Sequence, residues 1–176
     1  NGVVAPVDLG EAKSQFSDVA VKAVTYNGQT YGVPYAVESV ALVRNDALTS
    51  DTPTTYDDLI SSGKASGAEY PFIIQMGDKG DPYHFYAFQT SFGAPVFKTN
   101  SEGEYTAELA MNGSGGTEFA NWLKAQGDAG IVSPSITGDI AKQKFLDGAS
   151  AYTVTGPWNV AAFRAAGMKV SVLPVP

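Results

Sequence analysis

The chain has no cysteine, one histidine and few basic residues, 11 Lys and Arg against 18 Asp and Glu in 176 positions. The missing cysteine excludes disulfides, thiolate zinc sites and cysteine nucleophiles together, and fits either an exported or a cytosolic protein. A formal charge of -7 and a pI near 4.5 argue against nucleic acid as a partner, because phosphate binding needs clustered Lys and Arg. Here the basic residues are scattered. No apolar run approaches the about 20 residues of a membrane span. The start, Asn1-Gly2-Val3-Val4-Ala5-Pro6, lacks the basic residues and long apolar core of a signal peptide.

Several catalytic and cofactor patterns are missing as well. There is no G-x-G-x-x-G and no G-x-x-x-x-G-K-[ST], so no nucleotide cradle and no cofactor is expected. No H-E-x-x-H occurs, and the acidic loop from Asn45 to Asp51 lacks calcium-loop spacing, so no metal site is expected. Without G-x-S-x-G or a comparable nucleophile motif, His84 in Tyr83-His84-Phe85-Tyr86 reads as a structural or surface histidine.

What is present is ordinary globular material, 44% hydrophobic and 16% charged, long enough to bury a core. Its 19 glycines stand mostly singly at turns, and no repeat or low-complexity tract interrupts them. The internal look of the first residues and the apolar Val170–Pro176 ending suggest a segment of a longer protein.

Periodicity and punctuation give the elements. Leu9–Ala23 suits one helix or two short ones, and Asn27-Gly28 makes a hairpin turn between Val24–Tyr26 and Gln29–Val33. Val33–Arg44 is expected as one or two strands, since it is too apolar for a surface loop. Thr54 or Thr55 caps a helix that stops at Gly63 or Gly67, and Tyr70–Gln75 reads as a buried strand. After the loop Met76–Gly80, Asp81-Pro82 starts a helix running to about Phe92. A small hairpin spans Val96–Thr106, and helices are expected at Thr117–Gln126 and Asp139–Leu146, stopped by Gly127 and Gly148. Strand Ala149–Thr155, a helix from Pro157 and a strand to Pro174 close the chain. Strands alternating with helices of about ten residues define an α/β layered domain.

Chemistry gathers at three places: Glu38 in the extended stretch, Asp81-Pro82-Tyr83 after one strand, and Gly156-Pro157-Trp158 after another. Tyr83 and Trp158 each follow a proline at a helix start behind a strand, which should place both on one rim of the sheet. Gly156 is read as supplying unusual backbone angles for the turn, and Pro157 fills the first helical position. Flat aromatics and carboxylates are the mixture that recognises a sugar, through its apolar ring face and its hydroxyl edge. Each residue also has a plainer use. Trp158 either packs its helix onto the sheet or offers a platform; Tyr83 is either core or contact; Asp81 is foremost an N-cap whose second oxygen is open to a ligand. Glu38, in Val37–Val43, needs an exposed face or a polar partner. Glu38 and Asp81 could also serve as the acid and base of a glycoside hydrolase.

Tyr26-Asn27-Gly28-Gln29-Thr30-Tyr31-Gly32-Val33-Pro34-Tyr35-Ala36-Val37-Glu38-Ser39 resembles the middle of maltose and maltodextrin-binding proteins of ABC importers. The likeness continues through Thr54–Leu59, Asp81-Pro82-Tyr83, Phe145–Ala151, Thr155-Gly156-Pro157-Trp158 and Val172-Leu173-Pro174. It implies a periplasmic-binding-protein-like (type II) fold with a mixed sheet flanked by helices, incomplete relative to the two-lobe family. By resemblance, residues 1–35 are the edge of the first lobe, 36–42 a hinge crossing, 43–171 the second lobe and 172–176 the start of the return crossing. The resemblance further implies a non-enzymatic, extracellular or periplasmic carrier, in some cases lipid-anchored, that closes over a malto-oligosaccharide and delivers it to ABC permease subunits. Its implied sugar contacts are Glu38, Asp81, Tyr83 and Trp158, and the partner lobe of the same protein is missing from this segment. Three departures, Asp81 where many relatives have glutamate, the added loop Gly77–Gly80 just before it, and Gly138 where the enteric type has a sugar-contacting tyrosine, leave a different oligosaccharide or a sugar alcohol as the alternative ligand.

Overall fold

A computed structural model describes residues 2–176. In chain order it contains a 3-10 helix at Gly10–Gln15, α1 (Asp18–Ala23), β1 (Thr25–Tyr26), β2 (Gln29–Thr30), β3 (Ala41–Asn45), α2 (Tyr56–Ala65) and α3 (Pro82–Ser91). Then follow β4 (Phe97–Thr99), β5 (Tyr105–Leu109), α4 (Ser114–Asp128), α5 (Gly138–Leu146), β6 (Tyr152–Thr155), α6 (Pro157–Ala165) and β7 (Val170–Leu173). These elements form two compact units, one running to Glu38 and including Val96–Ala110, the other made of Ser39–Pro95 and Met111–Pro176.

In the first unit the expected hairpin is present. Thr25 lies opposite Thr30 and Tyr26 opposite Gln29, with Asn27 at φ 49 and Gly28 at φ 72 as a two-residue turn of this kind requires. β4 and β5 form the second hairpin, antiparallel. The extended stretch departs from expectation. Only Ala41–Asn45 forms a strand, whereas 33–40 carries no ladder among the described residues and exposes Val33, Tyr35 and Val37. Apolar composition marked it as strand, but extended backbone becomes a strand only where a neighbour accepts its hydrogen bonds.

The second unit is built on a three-stranded sheet in the order β6-β3-β7, with β3 antiparallel to both neighbours. Residues 70–73 add a parallel edge through bridges Tyr70 to Ser150 and Ile73 to Thr153, which makes the sheet mixed. This edge was expected as a full strand and is only two bridges, because the residues that donate across it, Tyr70 and Ile73, stand three apart where a regular ladder repeats every two. Alternation along β3 decides the layers. Leu42 joins Leu59 of α2 and Phe85 and Phe88 of α3 on one face, while Val43 joins Phe145 of α5 and Val160 and Phe163 of α6 on the other. Beyond α3, Trp122 of α4 stacks on Phe88 at 5.3 Å.

Helix ends follow local chemistry, with corrections at the two ends of α4. Thr55 caps α2 by accepting from the Asp58 N–H at 3.1 Å. The helix runs through Gly63 and stops at Gly67, which has φ 73. Gly63 serves closeness instead, since a Cβ there would lie 1.9 Å from the Pro71 carbonyl oxygen. α4 begins three residues earlier than expected, at Ser114, and passes through Gly127 to end before Gly130 at φ 73. α5 stops at Gly148 as expected.

Candidate functional site

The parallel bridges between 70–73 and β6 decide where the site lies. Both segments run the same way, so both release their chains at the same edge, the edge where open α/β sheets carry ligands. Each then starts a helix with a proline in its first turn, α3 at Pro82 and α6 at Pro157. The next residues, Tyr83 and Trp158, meet with ring centroids 6.3 Å apart and planes inclined by 37°. They are 51% and 41% exposed, so neither is core.

Gly156 acts differently from the sequence expectation. Its φ of -101 and ψ of 179 are open to any residue. What it provides is space: a Cβ at this position would fall 2.2 Å from two atoms of the Trp158 six-membered ring. The indole lies against the backbone at Gly156, which holds it at the rim with one side open.

Asp81 caps α3 as expected. Its Oδ1 accepts from the His84 backbone N–H at 2.9 Å and also faces His84 Nδ1 at 2.9 Å. Its Oδ2, expected to be open, already accepts from Gln75 Nε2. Burial pushes this carboxyl up, but hydrogen bonds from the His84 backbone, the His84 ring and Gln75 outweigh it and hold the group below the usual aspartate range. The side chain keeps 15% of its surface open.

His84 proves structural and buried, and it is more connected than the sequence suggested. Its ring stands edge-on to Tyr83 at 5.7 Å and to Trp158 at 6.1 Å. Gln75, which sequence reasoning passed over, ends the buried edge segment beside Asp81. The signal for His84 lay in D-P-Y-H: the third helical residue faces its own N-cap. Gln75 carried no local signal, because the loop Met76–Gly80 separates it from Asp81. That loop is a turn with Gly77 at φ 67 and Gly80 at φ 77, exposing Asp78 and Lys79.

Glu38 belongs to the other compact unit, where it is exposed. Among the described residues no group of three or more His, Asp or Glu side chains could hold a metal ion, and no helix is long and apolar enough to cross a membrane.

A mixed sheet covered by helices on both faces, opening at one edge onto paired aromatics, is the architecture of a type II periplasmic-binding-protein-like lobe. The comparison with solved structures agrees: a cyclo/maltodextrin-binding protein crystallised with maltotetraose superposes with a TM-score of 0.84 at 32% identity, over 99% of this chain and 46% of that one. Residues 1–176 match the bacterial extracellular solute-binding proteins throughout, and the chain belongs to that family. A maltooligosaccharide ABC transporter solute-binding lipoprotein of Streptococcus pneumoniae is 27% identical over 100% of this chain and 43% of its own. A galactooligosaccharide-binding protein of Bacillus subtilis is 23% identical over 94% of this chain and 41% of its own. The chain thus spans under half the length of these relatives.

Proposed function

We propose that this chain is part of the carbohydrate-binding component of an ABC importer, and that Glu38, Asp81, Tyr83 and Trp158 contact maltose or a malto-oligosaccharide. The observation that carries the reading is the half-exposed Tyr83–Trp158 pair, held on the same sheet edge as an ionised carboxylate. Half-exposed aromatic rings suit the apolar face of a pyranose ring, and Asp81 suits a hydroxyl at its edge.

In this reading, residues 36–42 and 172–176 are the crossings between two lobes. Their ends are antiparallel neighbours in one sheet, with Leu42 opposite Leu173, as two adjacent crossings require. A ligand touching both lobes favours the closed form, and the permease subunits recognise that form from outside the cell membrane. The protein is read as a carrier and not a hydrolase because its family and relatives are solute-binding proteins; the depressed Asp81 carboxyl speaks against that residue as a glycosidase acid.

The test is calorimetric titration of the full-length protein with maltotriose, against a galacto-oligosaccharide and a sugar alcohol. Maltotriose should bind best and change the tryptophan fluorescence, and Trp158→Ala should remove most of that change. Preference for the galacto-oligosaccharide would move the reading to the other relative's ligand, and shortening of maltodextrin on incubation would replace a carrier with an enzyme.

A further inference from the structure

We infer that His84 and Gln75 are positioning residues, which lock the Asp81 carboxylate so that it keeps about one acceptor position for a ligand hydroxyl; the inference rests on the sugar-binding reading above. An ionised carboxylate offers about four acceptor positions. Three are taken, by the His84 backbone N–H, by His84 Nδ1 and by Gln75 Nε2. Since a carboxylate only accepts, Nδ1 must carry the ring hydrogen. The other ring nitrogen, Nε2, is buried and without a hydrogen-bond partner among the described residues, so the Asp81 contact is the ring's one polar tie.

The same imidazole meets Tyr83 and Trp158 with its plane 76° and 81° from theirs. One buried ring therefore sets the direction of the carboxylate and supports both platform aromatics. Gln75 is placed from the other side. Its Oε1 lies 3.1 Å from where a Cβ on Gly138 would stand, so the bare first residue of α5 leaves the room that this amide occupies. A site built this way should read one hydroxyl in one direction and discriminate against a sugar that lacks it or turns it away.

The decisive comparison separates the donor from the ring. In the full-length protein titrated with maltotriose, His84→Phe keeps a ring of similar size and loses the donor, whereas His84→Asn keeps a donor at the same branch and loses the ring. Positioning predicts about tenfold weaker binding for His84→Phe, the range for a hydrogen bond to a charged group, and recovery to within about threefold for His84→Asn. In an Asp81→Asn background, His84→Phe should add no further loss. The opposite order, or no change in either variant, would overturn the inference, since it would leave His84 as packing alone. A second readout needs no sugar. The nitrogen resonances of His84, assigned by their disappearance in His84→Phe, should show hydrogen on Nδ1, and a bare Nδ1 would overturn the lock. If wild type bound no maltotriose while the tautomer was as stated, the sugar reading would fall and the locked carboxylate would stand.

Discussion

At the scale of single residues, the site rests on what surrounds its obvious members. Trp158 lies on Gly156, so Gly156→Ala must displace the indole or the turn, because the added Cβ has only 2.2 Å of clearance. We expect a loss of about 1–3 kcal/mol in stability, as for other overpacking changes, together with a blunted fluorescence response to sugar. Urea unfolding and ligand titration on one sample read both. Trp158→Ala should instead leave stability within about 1 kcal/mol, since the side chain is half exposed, while weakening sugar binding tenfold or more. Asp81 makes a pH prediction. Its folded-state pKa is depressed, so its contribution to stability is complete above the unfolded value of about 3.9 and is lost as pH falls through the lower folded value. Compared by urea unfolding between about pH 6 and pH 2, the gap between wild type and Asp81→Asn should therefore shrink on acidification. A gap that stayed constant would mean the carboxylate is not favoured by the fold. The cap at Asp81 and the shared edge of Tyr83 and Trp158 were legible in the sequence because proline and cap signals are local. Gln75 was not, since its partner lies across a loop, and the role of Gly156 depended on a clash that only coordinates show.

At the scale of elements, glycine had two uses that look alike in a sequence. Gly67 ends α2 with φ 73, whereas Gly63 lies inside the helix where it passes over Pro71. Gly67→Ala should cost about 1 kcal/mol, the penalty for a side chain in the left-handed region. Gly63→Ala should cost more, about 2–3 kcal/mol, because the Pro71 carbonyl is rigid backbone and cannot yield. Equal losses in denaturant unfolding would contradict this close packing. Arg44 shows a comparable long-range device. Its guanidinium donates to Asp46 at 2.8 Å, to the carbonyls of Ser50 and Asp51 at 2.6 and 2.9 Å, and to Ser171 of β7 at 3.1 Å. It ties the loop after β3 to β7, a link between residues far apart in the chain that no local pattern announces.

At the scale of the whole molecule, the chain matches its family along its full length yet spans under half of its relatives. If ligand is held between two lobes, the 176-residue segment alone should bind maltotriose at least about a hundredfold more weakly than the full-length protein, since it lacks the contacts that favour closure. Calorimetry on both forms tests this, and equal affinity would sink the two-lobe account. By itself the sequence determined the α/β character, the turns and most helix starts, and the residues that face the sheet edge, because hydrophobic periodicity, caps and prolines act over a few residues. It also carried the family resemblance. Only the tertiary structure decided that 33–40 forms no ladder among the described residues, that 70–73 runs parallel to β6, and that Asp81, His84 and Gln75 form one hydrogen-bonded group beneath Tyr83 and Trp158. The physical reason is the same in each case: strand pairing, close approach and a carboxylate's partners depend on which distant residues fill the neighbouring space, and that is settled when the layers pack.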